Sequence, residues 1–203
     1  MNELNAIECI KPDVQIIYNL VKPNSRVLDL GCGDGALLKL LQEKKNCKIQ
    51  GIDRDQAEVM KCISNGVPVI QMNLEKGLSY FQDKSFDYVI LGLTFQQIKD
   101  PHKLLKEMCR VGHHSLVSVF NLGYIKTRLQ ICFGGNMPIN KRLPFEWYDT
   151  PNIHLGTAND FKRMCCKENF QITSVEHISQ SPRFLLNALP NLFAEICIFT
   201  LSD

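Results

Sequence analysis

The sequence predicts a doubly wound α/β fold, on three observations. Strand and helix patterns alternate from residue 12 to residue 120. The strand candidates VLDL, YVIL and LVSVF are nearly continuous in apolar residues, as strands covered on both faces by helices should be. Between the first strand and its helix, RVLDLGCGDGALLKLL (residues 26–41) carries glycines at 31, 33 and 35, so the turn lacks Cβ atoms where strand hands over to helix.

The elements follow in order. A short helix, Pro12–Leu20, leads through KPNS into strand Arg26–Gly31. Helix Asp34–Lys44 has an apolar face of Leu37, Leu38, Leu40 and Leu41. Strand Lys48–Asp53 precedes helix Asp55–Asn65, which Gly66 ends in a left-handed conformation. Strand Val67–Met72 is followed by a short helix near Leu78–Phe81, then strand Phe86–Gly92. Pro101 starts a helix that runs to Arg110. His113–His114 reads as a turn rather than a metal site, because no cysteine or carboxylate cluster accompanies it. Strand Ser115–Phe120 closes the regular part. Residues 121–155 hold three of the nine prolines, the only Trp and a Gly-Gly pair, and read as one short helix followed by irregular chain. Regularity returns at TANDFKRMCCKENF, where Thr157 caps a helix with Asp160 in its first turn. Strands Gln171–His177 and Glu195–Leu201 bring the total to seven, with SPRFLLNALPN between them. The chain reads as a single domain over residues 1–203, with 121–155 as an inserted segment that covers the cleft.

Composition narrows the class. The 203 residues are 45% apolar and 22% charged, with a net charge of +2, ordinary for a globular domain. No basic block marks a nucleic-acid partner. No apolar run reaches the ~20 residues of a membrane span, and the N-terminus lacks a signal-peptide core. The nine cysteines include no C-x-x-C pair and read as small apolar residues of a reduced, cytoplasmic protein.

In an open parallel sheet the ligand lies beyond the carboxyl ends of the strands, where the strand order reverses, and the glycine-rich turn sits there. Dinucleotide binders use G-x-G-x-x-G. Here the third glycine comes one residue early, Asp34 stands where a phosphate would be repelled, and Asp29 adds a second negative charge. Two carboxylates with no nearby Lys or Arg suit a cation, and S-adenosylmethionine carries a sulfonium and an ammonium. Asp53, about 20 residues beyond the glycines, is placed to accept both ribose hydroxyls; its other reading is the cap of helix Asp55–Asn65, which Asp55 can equally provide. Gly31, Cys32, Gly33 and Arg54 belong to the same cofactor set. Leu91 and Gly92 end the fourth strand at the rim, where main-chain carbonyls can meet the ammonium group.

RVLDLGCGDGALL, GVPVIQMNLEKGL, SFDYVILGLTFQQIKDP, LLKEMCRVG and LPFEWYDTPNIHLGTANDF together resemble the methionine biosynthesis protein MetW family, from about Lys11 to the C-terminus. The resemblance implies a class I S-adenosylmethionine methyltransferase fold, Rossmann-like, with an antiparallel last strand. It implies S-adenosylmethionine or S-adenosylhomocysteine as ligand. It also implies that Asn73 meets the adenine amino group, with Met72 and Leu74 on the ring faces. Asn73 stands where the family would lead one to expect an acid, and it keeps an amide oxygen as acceptor. The implied partner is homoserine O-acyltransferase, with the cofactor site serving as a sensor of the pathway product.

Segment 121–155 should carry specificity, since the fold alone does not. It offers Trp147 and Tyr148 as flat walls and Asp149 and His154 as titratable groups. In a methyltransferase acting on a small-molecule acceptor, His154 would be the base, with Tyr148 or Asp149 orienting the acceptor. Equally, Asp149 and His154 hold irregular main chain beneath an interface with another protein. Lys126, Arg128, Lys141 and Arg142 read as a solvated face. A nicotinamide-dependent reductase fails on the glycine spacing and on the lack of a Tyr-x-x-x-Lys pair.

Overall fold

The computed structural model describes residues 11–140 and 143–202. Lys141 and Arg142, and Cys9, lie outside the described residues. Helix α1 (Pro12–Leu20) precedes β1 (Arg26–Leu30), α2 (Ala36–Lys45), β2 (Lys48–Asp53), α3 (Gln56–Ser64) and β3 (Val69–Gln71). After them come β4 (Phe86–Leu91), α4 (Pro101–Val111), β5 (Gly112–Phe120), α5 (Ile125–Gly134), α6 (Ala158–Lys167), β6 (Gln171–Ile178), α7 (Arg183–Ala188), α8 (Pro190–Phe193) and β7 (Ile196–Ser202). Two 3₁₀ turns, Leu74–Lys76 and Phe95–Gln97, lie on either side of β4.

The seven strands form one sheet in the order β3-β2-β1-β4-β5-β7-β6. Pairings among β1 to β5 are parallel, and β7 runs antiparallel to both β5 and β6. Side chains alternate along each strand, so the sheet has two apolar faces. Leu28, Leu30, Val89 and Leu91 pack with α4 and α6 on one face. Val27, Ile49, Ile90 and Leu116 pack with α1, α2 and α3 on the other. That two-sided cover accounts for the continuous apolar runs. Because β1 lies between β2 and β4, the order reverses beside its carboxyl end, and a cleft opens there.

Local signals place most boundaries. Asp55 caps α3 by accepting the N–H groups of Ala57 and Glu58. Gly66, at φ +73°, ends that helix region. Thr157 and Asp160 form a reciprocal capping box at α6. Six of the eight described cysteines are buried, and burial pushes the Cys165 and Cys197 thiols up to about 12.

Two expectations need correction. The short helix near Leu78–Phe81 is a 3₁₀ turn at Leu74–Lys76. Asn73 sets it by accepting the Glu75 N–H, and Gly77, at φ +81°, ends it. His113 and His114 are not a turn but the start of β5, which begins at Gly112 directly after α4. The SPRFLLNALPN stretch, to which the sequence assigns no element, folds into α7 and α8, with Pro190 as the first residue of α8.

Candidate functional site

The glycine turn is built on β1 and β2. The N–H groups of Gly31 and Cys32 both donate to the Ile52 carbonyl, at 2.8 and 3.1 Å. Gly31, Gly33 and Gly35 all take left-handed φ values, from +56° to +76°. A side chain at Gly31 would meet Thr94 Oγ1 at 2.8 Å, and one at Gly35 would meet Cys62 Sγ at 2.9 Å. A side chain at Gly33 would meet only Glu58, at 3.9 Å. The middle glycine therefore leaves the turn open, while the outer two allow close packing beneath it.

Asp53, the last residue of β2, holds this turn from the cleft side. Its Oδ2 accepts the Gly33 N–H at 2.9 Å, and its Oδ1 accepts the Asp55 N–H at 2.9 Å. With Asp55 capping α3, the Asp53 carboxylate stays at the cleft. A cavity of about 140 Å³ opens there, lined by Gly31, Asp53, Arg54, Met72, Asn73 and Leu74, with Glu75, Thr94, Gln97 and Ile98. Arg54, Met72 and Asn73 also line an adjoining cavity of about 630 Å³ that ends at Tyr80 and Phe81. Together the two fall within the ~300–1,000 Å³ usual for small-molecule sites. The inner end is acidic and lies against bare backbone; the outer end mixes Ile70, Met72, Tyr80 and Phe81 with Gln71 and Lys76, with Arg54 at the junction. That arginine is a cation the charge argument from sequence did not count. Asn73 turns its amide oxygen to the Glu75 N–H at 3.0 Å, which leaves one lone pair and the NH₂ for anything in the cavity.

Asp29 is buried beneath the turn, and burial first, then the Asp53 charge, push its carboxyl up from the ordinary 3.8 to about 7. The Cys32 side chain faces away from the cleft: Cys32 Sγ and Cys62 Sγ are 3.8 Å apart, and the Cys62 thiol donates to the Gly33 carbonyl. Burial first, then Asp29, raise the Cys32 thiol far above its ordinary value. Leu91 is wholly buried in the core, and neither it nor Gly92 lines the cavity.

The candidate catalytic residues do not converge on this cavity. Tyr148 and Asp149 line neither part of it. The 146–150 stretch is a turn in which the N–H groups of Asp149 and Thr150 share the Glu146 carbonyl. Trp147 and Tyr148 touch edge to face at 5.6 Å and stand in solvent. His154 lines a different cavity of about 540 Å³, between the Phe95–Gln97 turn, α4 and α6, with Phe95, Val119, Leu155, Phe161 and Met164 as its apolar lining.

Gln96 joins these parts. Its side chain is buried and pairs with both the N–H and the C=O of Phe120 at 3.2 Å. Its own carbonyl accepts the N–H groups of Ile153 and His154, each at 3.0 Å. One residue therefore ties the turn that walls the cleft to the end of β5 and to the end of the inserted segment.

Glu75, Thr94, Gln97 and Ile98 were not picked out as site residues from sequence. The two 3₁₀ turns carry them to the cleft, and their only sequence signal is their position just after strand ends.

Comparison with known proteins gives the same picture at three levels. The family described as Methionine biosynthesis protein MetW matches residues 11–201. The bifunctional methionine biosynthesis protein MetXA/MetW of Rhodopirellula baltica is 30% identical over 197 residues, which is 92% of this chain and 32% of the relative. The chain thus spans about a third of that relative's length. A SAM-dependent methyltransferase from Archaeoglobus fulgidus superposes with a TM-score of 0.70 at 14% identity, covering 97% of this chain and 94% of the other. The [4+2]-cyclase SpnF superposes at 0.65, also at 14% identity, covering 94% and 80%. Likeness at these identities is one of fold, and proteins described by quite different chemistry share it.

Proposed function

The chain belongs to the MetW family of methionine biosynthesis proteins, and on that premise we propose that it binds S-adenosylmethionine, or S-adenosylhomocysteine, in the 31–98 cleft and supports homoserine O-acyltransferase as a partner in L-methionine biosynthesis. It would do so in the cytoplasm as a single domain, with segment 121–155 as its specificity element. The observation that carries the cofactor reading is the acidic inner end of the cleft. Asp53 lines it and Asp29 lies beneath it, beside a turn that presents backbone where a ribose and a cationic tail would lie. Where the two cavities meet, the lining suits an adenine: Met72, with Leu74 on the inner side, for the ring faces, Asn73 for its polar edge and Arg54 to stack. A pyrophosphate would meet these carboxylates with no basic residue on the glycine turn.

The partner reading draws its support from the relative that joins MetXA and MetW in one polypeptide, and from the exposure of Trp147 and Tyr148. One observation favours the second reading, a true methyltransferase. The cavity at His154 shares the Phe95–Gln97 turn with the cleft, so an acceptor there would lie one wall away.

Titration calorimetry tests the ligand. S-adenosylmethionine should bind with one-to-one stoichiometry and raise the melting temperature, while NAD at the same concentration should do neither. NAD binding with no response to S-adenosylmethionine would overturn the cofactor assignment.

A further inference from the structure

The cavity at His154, of about 540 Å³, has an apolar floor. Phe95, Val119 and Phe161 are buried there, Met164 packs against them, and the Phe95 and Phe161 rings meet edge to face at 5.1 Å. Leu155 lines it while 56% exposed, so the apolar wall runs out to solvent. Three carboxylates also line it, and each is already held. Asp100 caps α4 by accepting the Lys103 N–H at 3.1 Å. Asp160 accepts the Thr157 N–H and hydroxyl at 3.0 and 2.8 Å and pairs with Arg163 at 2.6 Å. Glu168 meets Lys106 at 3.0 Å and His102 at 3.4 Å. Two lysines of the lining are less committed. Lys167 makes no ion pair among the described residues, and Lys99 reaches Glu75 only at 3.9 Å. An apolar floor with positive charge left over at its edge suits a carboxylate carried on an apolar body. The cavity also shares a wall with the cofactor cleft. Phe95, Gln96 and Lys99 line the former, while Thr94, Gln97 and Ile98 line the latter. The Lys99–Glu75 pair crosses that wall, since Glu75 lines the cleft.

We propose that this cavity is a second ligand site, for a carboxylate on an apolar or aromatic body, and that its ligand strengthens S-adenosylmethionine binding through Lys99. The site stands on its own lining; the coupling rests on the cofactor reading above. The carboxylate takes Lys167 and competes with Glu75 for Lys99, while the apolar body covers Phe95, Phe161 and Leu155. Glu75 then faces the cleft with its charge uncompensated, and a ligand carrying a sulfonium and an ammonium gains from that charge. Binding free energies couple reciprocally, so the cofactor tightens carboxylate binding by the same factor.

The test titrates the full chain with 3-phenylpropanoate and octanoate by calorimetry, with phenethylamine as the cationic counterpart. Each S-adenosylmethionine titration is run with and without saturating carboxylate. The carboxylates should bind with one-to-one stoichiometry, and phenethylamine should not bind. Lys167→Glu should weaken carboxylate binding roughly tenfold, the loss of one bond to a charged group, while Lys167→Arg keeps the wild-type affinity. Leu155→Trp should block the carboxylates by filling the opening. Lys167 and Leu155 are both exposed, so the melting temperatures of these variants should stay at the wild-type value. Saturating carboxylate should tighten S-adenosylmethionine binding roughly fivefold. Lys99→Gln should show that gain without carboxylate and no further gain with it. If neither carboxylate binds, or if Lys167→Glu and Leu155→Trp bind them as wild type does, the site assignment is wrong. If they bind as expected and S-adenosylmethionine affinity does not move, the coupling is wrong. If S-adenosylmethionine does not bind at all, the cofactor reading fails and the coupling with it, while the carboxylate titrations still decide the site.

Discussion

Asp53→Ala should lower the affinity for S-adenosylmethionine by one to two orders of magnitude in a calorimetric titration. The ribose hydroxyls lose a charged acceptor, a loss of about 1.5–3 kcal/mol. Asp53 also holds the Gly33 and Asp55 N–H groups, so the variant loosens the turn against which the ligand would lie. Asp53→Asn separates the two effects. It keeps an acceptor for one of these N–H groups but presents no charge, so its melting temperature should lie between those of wild type and Asp53→Ala while its affinity stays low. Wild-type affinity in Asp53→Ala would remove Asp53 from the site.

Asp29→Asn should change how stability depends on pH. Burial and the neighbouring Asp53 raise the Asp29 carboxyl from 3.8 to about 7, and the thiols of Cys32 and Cys62 also face it. An acid that is weaker in the folded state than in the unfolded one favours folding when protonated. Its contribution is full below about pH 4, declines as pH rises, and levels off above about pH 7. The decline amounts to about 4 kcal/mol. Asp29→Asn should match wild type near pH 4 and exceed it by up to about that amount above pH 7, with the difference in denaturant midpoints as the readout. A cationic ligand beside Asp29 favours its ionised form, so wild-type affinity for S-adenosylmethionine should rise with pH up to about 7, by up to tenfold per unit, and then flatten. The variant should bind more weakly and without this slope. Identical pH profiles in the two proteins would separate Asp29 from the ligand.

These two residues also show how far the sequence could be read. The alternation of apolar runs with amphipathic stretches predicts a layered α/β sheet, because strands covered on both faces have no polar side to display. The glycine spacing with Asp29 and Asp53 points to the inner end of the cleft, because left-handed turns and strand-end acids leave local signals. Other features depend on tertiary placement. Thr94 and Gln97 reach the cleft through a 3₁₀ turn too short to show a period. Gln96 reads as an ordinary surface amide until its pairing with Phe120 is seen. SPRFLLNALPN shows no clear period in the sequence, and in the structure Pro190 starts a helix, where its missing N–H costs nothing. The sequence reads 121–155 as one short helix followed by irregular chain, and only the structure shows that Leu129, Ile131 and Phe133 of that helix are exposed.

The most direct measurement is the rate of homoserine acylation by the organism's own acyltransferase, with and without this protein, each with and without S-adenosylmethionine. The account predicts a faster rate whenever the protein is added, and a change in that gain when the cofactor fills the cleft bounded by Asp53 and Thr94. Equal rates in all four mixtures would contradict it and leave the cavity at His154, with a methyl acceptor still to be found, as the reading to pursue.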